Sequence, residues 1–102
     1  MGKRKVLSEG QLREMVLPAQ NQVLGFVSQM LGYDRLTVKC TDGHERTCRI
    51  KGRMKRKVWI KTGDVVLVDP WEFQHDSKGD ILWRYTGNQV EWLKNNKYLN
   101  IG

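Results

Sequence analysis

The stretch RLTVKCTDGHERTCRI, residues 35–50, decides the fold class, because two runs of alternating apolar and polar side chains flank the dipeptide Asp42-Gly43. That dipeptide is a strong signal for a β-hairpin turn. A two-residue loop would send the apolar side chains of the two strands to opposite faces of the sheet. A three-residue loop, Asp42-Gly43-His44, keeps them together and lets Gly43 take a positive φ, so we predict the longer loop.

The pairing that follows from this loop puts Val38 opposite Cys48 and Leu36 opposite Ile50. Because side chains alternate between the faces of a strand, one face then carries all the apolar residues of the hairpin. These are Leu36, Val38, Cys40, Cys48 and Ile50. The hairpin is therefore predicted to contribute one face to a core.

Short apolar runs separated by turn residues continue on both sides of the hairpin, which is typical of a small all-β domain. In the first run, Val23, Gly25, Val27 and Leu31 are expected to face inward, with Gly25 at the bend where a small barrel closes and Phe26 on the opposite face. The fourth run is apolar on both faces and is expected to be central or covered. The runs predict five strands, at about 22–31, 35–41, 45–51, 64–69 and 80–86.

The two ends of the chain differ from this β pattern. The basic start Lys3-Arg4-Lys5 predicts a flexible N-terminal tail whose first fifteen residues are mobile. Near the other end, Asn88 and Glu91 have the spacing of a capping box, and an apolar stripe follows on a short helix near 88–96, formed by Val90, Trp92, Leu93 and Leu99. We expect a tail at 1–20, a β domain at 21–87, and a C-terminal segment at 88–102 that packs on the barrel.

Length and charge restrict the functional classes. A chain of 102 residues fits one domain, and its formal net charge of +7 indicates a polyanionic partner, most commonly nucleic acid. No apolar run is long enough for a transmembrane helix, and the start lacks the apolar stretch of a secretory signal, so we expect a cytoplasmic protein.

The strongest functional signal is the segment 46–61, which has eight basic residues and no acidic one. From Asp64 to Asp80 the bias reverses, so the charges are segregated along the chain. Crowded like charges repel each other, and an anionic partner would make their crowding useful. The alternative is a merely solvated loop. The predicted RNA contacts are Arg46, Arg49, Lys51, Arg53, Lys55, Arg56, Lys57 and Lys61, with Arg35 and Lys39 extending the patch.

Aromatic residues have two interpretations in such a protein. Trp59 lies inside the basic segment and is either a side chain that stacks on a base or a core residue beneath the loop. Phe26 and Tyr33 are further candidates, for which the structural role is favoured.

Metal binding and catalysis have less support. Cys40, His44 and Cys48 provide three potential zinc ligands, with His75 as a conceivable fourth, but the spacing lacks a zinc knuckle and the hairpin turns both cysteines inward. We expect reduced, unligated thiols and no cofactor. No catalytic motif is present, and neither histidine has a base partner suggested by spacing, so an RNA-processing enzyme is disfavoured.

The segment 52–72, GRMKRKVWIKTGDVVLVDPWE, resembles the translation initiation factor 1A family of archaea and eukaryotes, as do segments 22–27, 48–52 and 79–85 and the turn Asp42-Gly43. Bacterial initiation factor 1 is similar in the core and in the loop matched by residues 52–56. The resemblance implies a five-stranded S1-like OB barrel. It also implies binding near the aminoacyl site of the small ribosomal subunit, subunit dissociation and stabilisation of bound initiator methionyl-tRNA.

The resemblance extends to partners. It implies a monomer that contacts small-subunit rRNA and the initiator tRNA complex, with the translational GTPase of subunit joining as a further partner. This chain ends soon after Tyr98-Leu99, without the long acidic C-terminal extension through which eukaryotic members contact that GTPase. The alternative function is a general single-stranded RNA-binding protein or RNA chaperone on the same barrel.

Overall fold

The computed structural model describes residues 16–32, 34–50 and 60–99. These residues form strands β1 (Val23–Met30), β2 (Arg35–Cys40), β3 (Glu45–Ile50), β4 (Val65–Pro70) and β5 (Lys78–Arg84), followed by helix α1 (Gly87–Asn95). The five predicted strands and the C-terminal helix are confirmed. The predicted mobile segment, residues 1–15, lies outside the described residues. No helix within the described ranges is long and apolar enough to cross a membrane.

The strands close into a barrel in the order β1-β2-β3-β5-β4. Strand β1 pairs with both β2 and β4, while β3 and β5 form the one parallel pair among these strands. A five-stranded barrel of this kind is the OB fold. Closure pairs both edges of every strand, so main-chain groups on the barrel wall are satisfied and the outward side chains are left to form surfaces.

The β2–β3 hairpin has the predicted loop length but a different register. Leu36 lies opposite Cys48, and Val38 lies opposite Arg46. The Cys40 amide donates to the His44 carbonyl oxygen, so the three loop residues are Thr41, Asp42 and Gly43 rather than Asp42, Gly43 and His44. A three-residue hairpin loop places its left-handed residue last, and Gly43 takes that place with a φ of 94°. The predicted pairs were wrong by two residues, although the predicted inward face was right.

Two apolar clusters lie on the two sides of the barrel wall. The inner cluster contains the five hairpin residues named above together with Val27, Val66, Val68 and Ile81. The outer cluster contains Leu24, Val65, Leu67, Tyr85, Leu93 and Leu99. Strand β4 contributes to both clusters, which confirms that it is covered on both faces. Helix α1 packs against the outside of the barrel, as predicted.

A bulge in β1 changes which side chains point inward. The register with β2 shifts between Val27 and Gln29, so the alternation that holds up to Val27 is reversed beyond it. Leu31, predicted to be inward, is 48% exposed for this reason. Gly25 lies where the backbones of β1 and β2 are close, since a Cβ there would be 2.4 Å from Val38 Cγ1.

Helix α1 begins before the predicted capping box. Thr86 is the N-cap, its hydroxyl accepts from the Gln89 amide, and the Gln89 side chain accepts from the Thr86 amide. Asn88 and Glu91 have the right spacing but lie within the helix. The predicted capping pair was therefore wrong, because the sequence contains two overlapping matches to the same pattern, and only the first gives the helix its full length.

Candidate nucleic-acid interface

The outer face of β2 and β3 presents polar side chains in register. Both strands alternate between exposed or half-buried and buried residues, because their apolar side chains fill the barrel. Across the two strands Arg35 lies opposite Arg49 and Lys39 lies opposite Glu45. Between these pairs, Thr37 lies opposite Thr47. We call Arg35, Thr37, Lys39, Thr47 and Arg49 the basic face; it holds three of the predicted RNA-contacting cations.

Arg49 is held in place by residues of β5 and the β4–β5 loop. Its Nε lies 3.5 Å from Asp80 Oδ1, and its guanidinium carbon lies 5.6 Å from the centre of the Trp71 ring. The Trp71 Nε1 donates to the same Asp80 oxygen at 3.0 Å. The Arg49 side chain remains 48% exposed. It is therefore oriented by the protein and still open to a ligand.

Arg46 has a different environment from the other basic residues. Its side chain is 2% exposed, its two terminal nitrogens donate to Asp42 at 3.0 and 2.9 Å, and its Nε donates to the His75 carbonyl oxygen at 2.5 Å. Hydrogen bonds from Arg46 lower the pKa of Asp42. Burial disfavours the charged guanidinium, but its hydrogen bonds to Asp42 and Cys40 outweigh burial and raise the pKa of Arg46. Arg46 is thus a structural cation, and its assignment as an RNA contact is corrected.

Of the basic segment, residues 46–50 and 60–61 lie within the described ranges. Lys51, Arg53, Lys55, Arg56, Lys57 and Trp59 lie outside the described residues, as does Tyr33. Ile50 belongs to the inner cluster, and Ile60 packs against the same cluster. Lys61 is exposed, and its amide donates to Asp64 at 2.9 Å. The segment therefore leaves β3 after Ile50, one residue beyond Arg49 and next to the basic face.

Two aromatic residues of the β4–β5 loop were not singled out by sequence reasoning. Trp71 contacts Arg49, and Phe73, in the same loop, is 79% exposed. The only sequence signal was the aromatic pair itself in a turn-rich loop, and sequence alone does not indicate whether such side chains are exposed. Phe26 is half-buried against the outer cluster, in line with its favoured structural role.

Trp71 also lines a concave groove of about 640 Å³. Carboxylates of Asp42, Asp69 and Glu72 line it together with His75. Because Asp42 is already paired with Arg46 and the other two carboxylates add negative charge, this groove disfavours phosphate. An anionic ligand is expected on the basic face and not in the groove.

The cysteines lie inside the barrel. Both are free and buried, and burial raises the pKa of Cys48 to about 12 and also raises that of Cys40. A thiol with such a pKa is protonated at neutral pH and is a poor metal ligand. The His44 imidazole lies at the surface, 3.4 Å from Asp76. Within the described ranges no group of three or more His, Cys, Asp or Glu residues is placed to hold a metal.

The fold and this site define the class of the protein: a small five-stranded OB barrel with a basic outer β2–β3 face. Comparison with known families gives its membership. The family model described as "Translation initiation factor 1A / IF-1" matches residues 12–101, and the chain belongs to that family. The predicted family resemblance and the OB fold are both confirmed.

Individual relatives agree with this membership. The chain is 54% identical to translation initiation factor 1A of Methanococcus aeolicus over 79 residues, which are 78% of this chain and 75% of that one. It is 50% identical to the factor of Methanopyrus kandleri over 94 residues, 92% of this chain and 82% of that one. Among solved structures, bacterial translation initiation factor 1 from a Wolbachia endosymbiont of Brugia malayi is similar with a TM-score of 0.51 and 34% identity, covering 65% of this chain and 78% of that one.

Proposed function

We propose that this chain binds RNA of the small ribosomal subunit at the decoding, or aminoacyl, site. There it promotes subunit dissociation and stabilises the binding of initiator methionyl-tRNA. The observation that carries the proposal is the basic face, which presents Arg35, Lys39 and Arg49 to solvent. Family membership supplies the role in translation initiation.

The proposed interface consists of the basic face and the basic segment. Arginine and lysine side chains contact phosphates, which position the protein without reading sequence. Thr37 and Thr47 are short, so they let a backbone come close to the barrel between the longer cations. The proposed RNA-contacting residues are Arg35, Lys39, Arg49, Lys51, Arg53, Lys55, Arg56, Lys57, Trp59 and Lys61. Arg46 is left out because its charge is already neutralised by Asp42.

The mode of action is binding rather than catalysis. Occupying the aminoacyl site would exclude elongator tRNA by steric overlap, and selection of this one site would come from the folded shape of the RNA. The factor works as a cytoplasmic monomer, with the initiator tRNA complex as a neighbour on the subunit. The translational GTPase of subunit joining is a further proposed partner.

A competition titration tests the proposal against general single-strand binding. Labelled protein would be titrated with archaeal small subunits, with large subunits and with an unstructured RNA oligonucleotide at several salt concentrations. We expect the tightest binding to small subunits, with log affinity falling linearly with log salt. Equal affinity for the oligonucleotide and the small subunit would instead show a general single-strand binder.

A further inference from the structure

Two arginines lie directly opposite each other on the basic face. Arg35 on β2 is the cross-strand partner of Arg49 on β3, and both side chains are exposed. Like charges in this position destabilise a sheet, because the Cβ atoms of such a pair are only about 4.5 to 5.5 Å apart. Asp80 offsets the charge of Arg49, whereas no ion pair of Arg35 is found among the residues described. A net positive charge remains between the two side chains.

The surroundings of Arg49 reduce its freedom before any ligand binds. Asp80 Oδ1 holds both the Arg49 Nε and the Trp71 Nε1, and the Trp71 ring lies against the guanidinium. A long side chain that is already oriented loses less conformational entropy when it binds. The two arginines therefore repel each other, and one of them is already oriented before a ligand binds. Both properties favour the binding of an anion between them.

We propose that Arg35 and Arg49 form a clamp for a single phosphate of the RNA backbone, in which Asp80 and Trp71 act as positioning residues for Arg49. This inference rests on the proposed function. A guanidinium presents its donors in a planar fork that matches phosphate oxygens, and a shared phosphate relieves the repulsion between the two arginines. The clamp adjoins the point where the basic segment leaves β3, so the same RNA strand can reach both.

Because Asp80 is negatively charged, the direction in which Asp80→Asn changes the affinity for small subunits distinguishes two explanations. If Asp80 were only a carboxylate near RNA, Asp80→Asn would remove repulsion and tighten binding to small subunits. If Asp80 positions Arg49, the same change weakens binding, by about three- to tenfold. The amide of asparagine keeps an oxygen that can accept from Trp71 Nε1, so the substitution removes the charge with little change in shape. Glu72→Gln is the control, an exposed carboxylate of the β4–β5 loop beside Trp71, and it should tighten binding slightly.

A second substitution, Arg49→Gln, should remove or reverse the loss of affinity caused by Asp80→Asn. In an Arg49→Gln background Asp80 can no longer position Arg49, so Asp80→Asn should then leave the affinity unchanged or raise it. Weakening in the wild-type background together with this reversal supports the clamp. Tightening by Asp80→Asn in the wild-type background, as with Glu72→Gln, overturns it. If Asp80→Asn does not fold, Trp71→Phe takes its place, because phenylalanine keeps a ring but loses the bond to Asp80; wild-type affinity for that variant overturns the clamp.

The salt dependence of binding indicates how many phosphates Arg35 and Arg49 contact. Two arginines that share one phosphate should flatten the slope of log affinity against log salt by roughly 0.7 to 0.9 in the variant that replaces both by glutamine. Two separate contacts would flatten it by roughly twice as much, and no contact would leave it unchanged. Either of these results overturns the clamp while wild-type binding to small subunits stands. Failure of the wild-type protein to bind small subunits would instead remove the proposed function itself.

Discussion

Arg46 is bound in bidentate fashion by Asp42, with its two terminal nitrogens 3.0 and 2.9 Å from the carboxylate oxygens. The same guanidinium donates through Nε to the His75 carbonyl oxygen, and so joins the β2–β3 turn to the β4–β5 loop. Three residues along the strand, Arg49 projects from the opposite side of the barrel wall. Two neighbouring arginines of one basic segment thus have different roles, one structural and one available to RNA.

This difference predicts that substitution of Arg46 mainly lowers stability, whereas substitution of Arg49 mainly lowers binding to the small subunit. Arg46→Ala should destabilise the fold by about 2 to 4 kcal/mol, because it empties a buried site and leaves Asp42 and the His75 carbonyl without their partner. Arg49→Ala should change stability by at most about 1 kcal/mol, since its ion pair is half-exposed, but should weaken small-subunit binding. Urea unfolding and subunit titration of both variants check this. Equal loss of stability at the two positions would contradict it.

The Asp42–Arg46 pair also predicts a dependence of stability on pH. The folded pKa of Asp42 is lowered from its ordinary 3.8, with the hydrogen bonds from Arg46 as the main cause. A carboxylate whose pKa is depressed by folding contributes stability above its unfolded pKa, and that contribution is lost as the pH falls through the folded pKa. The difference in unfolding free energy between wild type and Asp42→Asn should therefore be largest near pH 6 and should shrink below about pH 4. The check is urea unfolding across that range; a constant difference would show that the charge of Asp42 contributes nothing.

The close approach of β1 and β2 makes glycine necessary at one position. A Cβ on residue 25 would lie 2.4 Å from Val38 Cγ1 and 2.9 Å from the Lys39 carbonyl oxygen, so Gly25→Ala requires the two strands to separate. We expect a loss of about 1 to 3 kcal/mol, as for other overpacked cores. Gly32→Ala is the matched control, because a Cβ there meets nothing within 4 Å. Thermal melting of both variants is the measurement, and similar melting temperatures would argue against a tight contact at Gly25.

The strands could be predicted from the sequence because the alternation of apolar residues is strong, but the register and the charged core residue could not. Arg46 has the same parity as Cys48 and Ile50, so alternation along β3 places it on their inward face, although the sequence prediction assigned it to the RNA contacts. Its charge argued for the outside, and only the partner at Asp42 makes its burial favourable. The predicted inward position of Leu31 and the predicted capping pair were wrong for local reasons. A bulge reverses the alternation of β1, and two overlapping capping patterns cannot be ranked without the helix itself.

The candidate interface was only partly predictable. Charge alone predicted Arg49 from the acid-free basic segment and added Arg35 and Lys39 as an extension of the patch. The structure places these three side chains on one outer face, and their contact with RNA stays a prediction. Sequence could not show that Trp71 and Asp80 hold Arg49, since those residues reach it through the pairing of β3 with β5. Contacts between strands distant in sequence depend on barrel closure, which is a property of the whole fold.

The basic segment predicts a second separation of binding from folding. Replacing Lys55, Arg56 and Lys57 together by serine should abolish most small-subunit binding at physiological salt. Since each lost phosphate contact flattens the salt slope by roughly 0.7 to 0.9, the triple variant should flatten it by about two units. We expect its melting temperature to stay at or slightly above the wild-type value, because like-charge repulsion is eased. Wild-type affinity with an unchanged slope would mean that the segment is only a solvated loop.

Chemical footprinting of small-subunit RNA, with and without the protein, tests whether this chain binds at the decoding site. We expect protected nucleotides to cluster there, and the protection to be lost with the triple serine variant but kept with Gly32→Ala. Protection scattered over the subunit RNA, or clustered away from the decoding site, would contradict it.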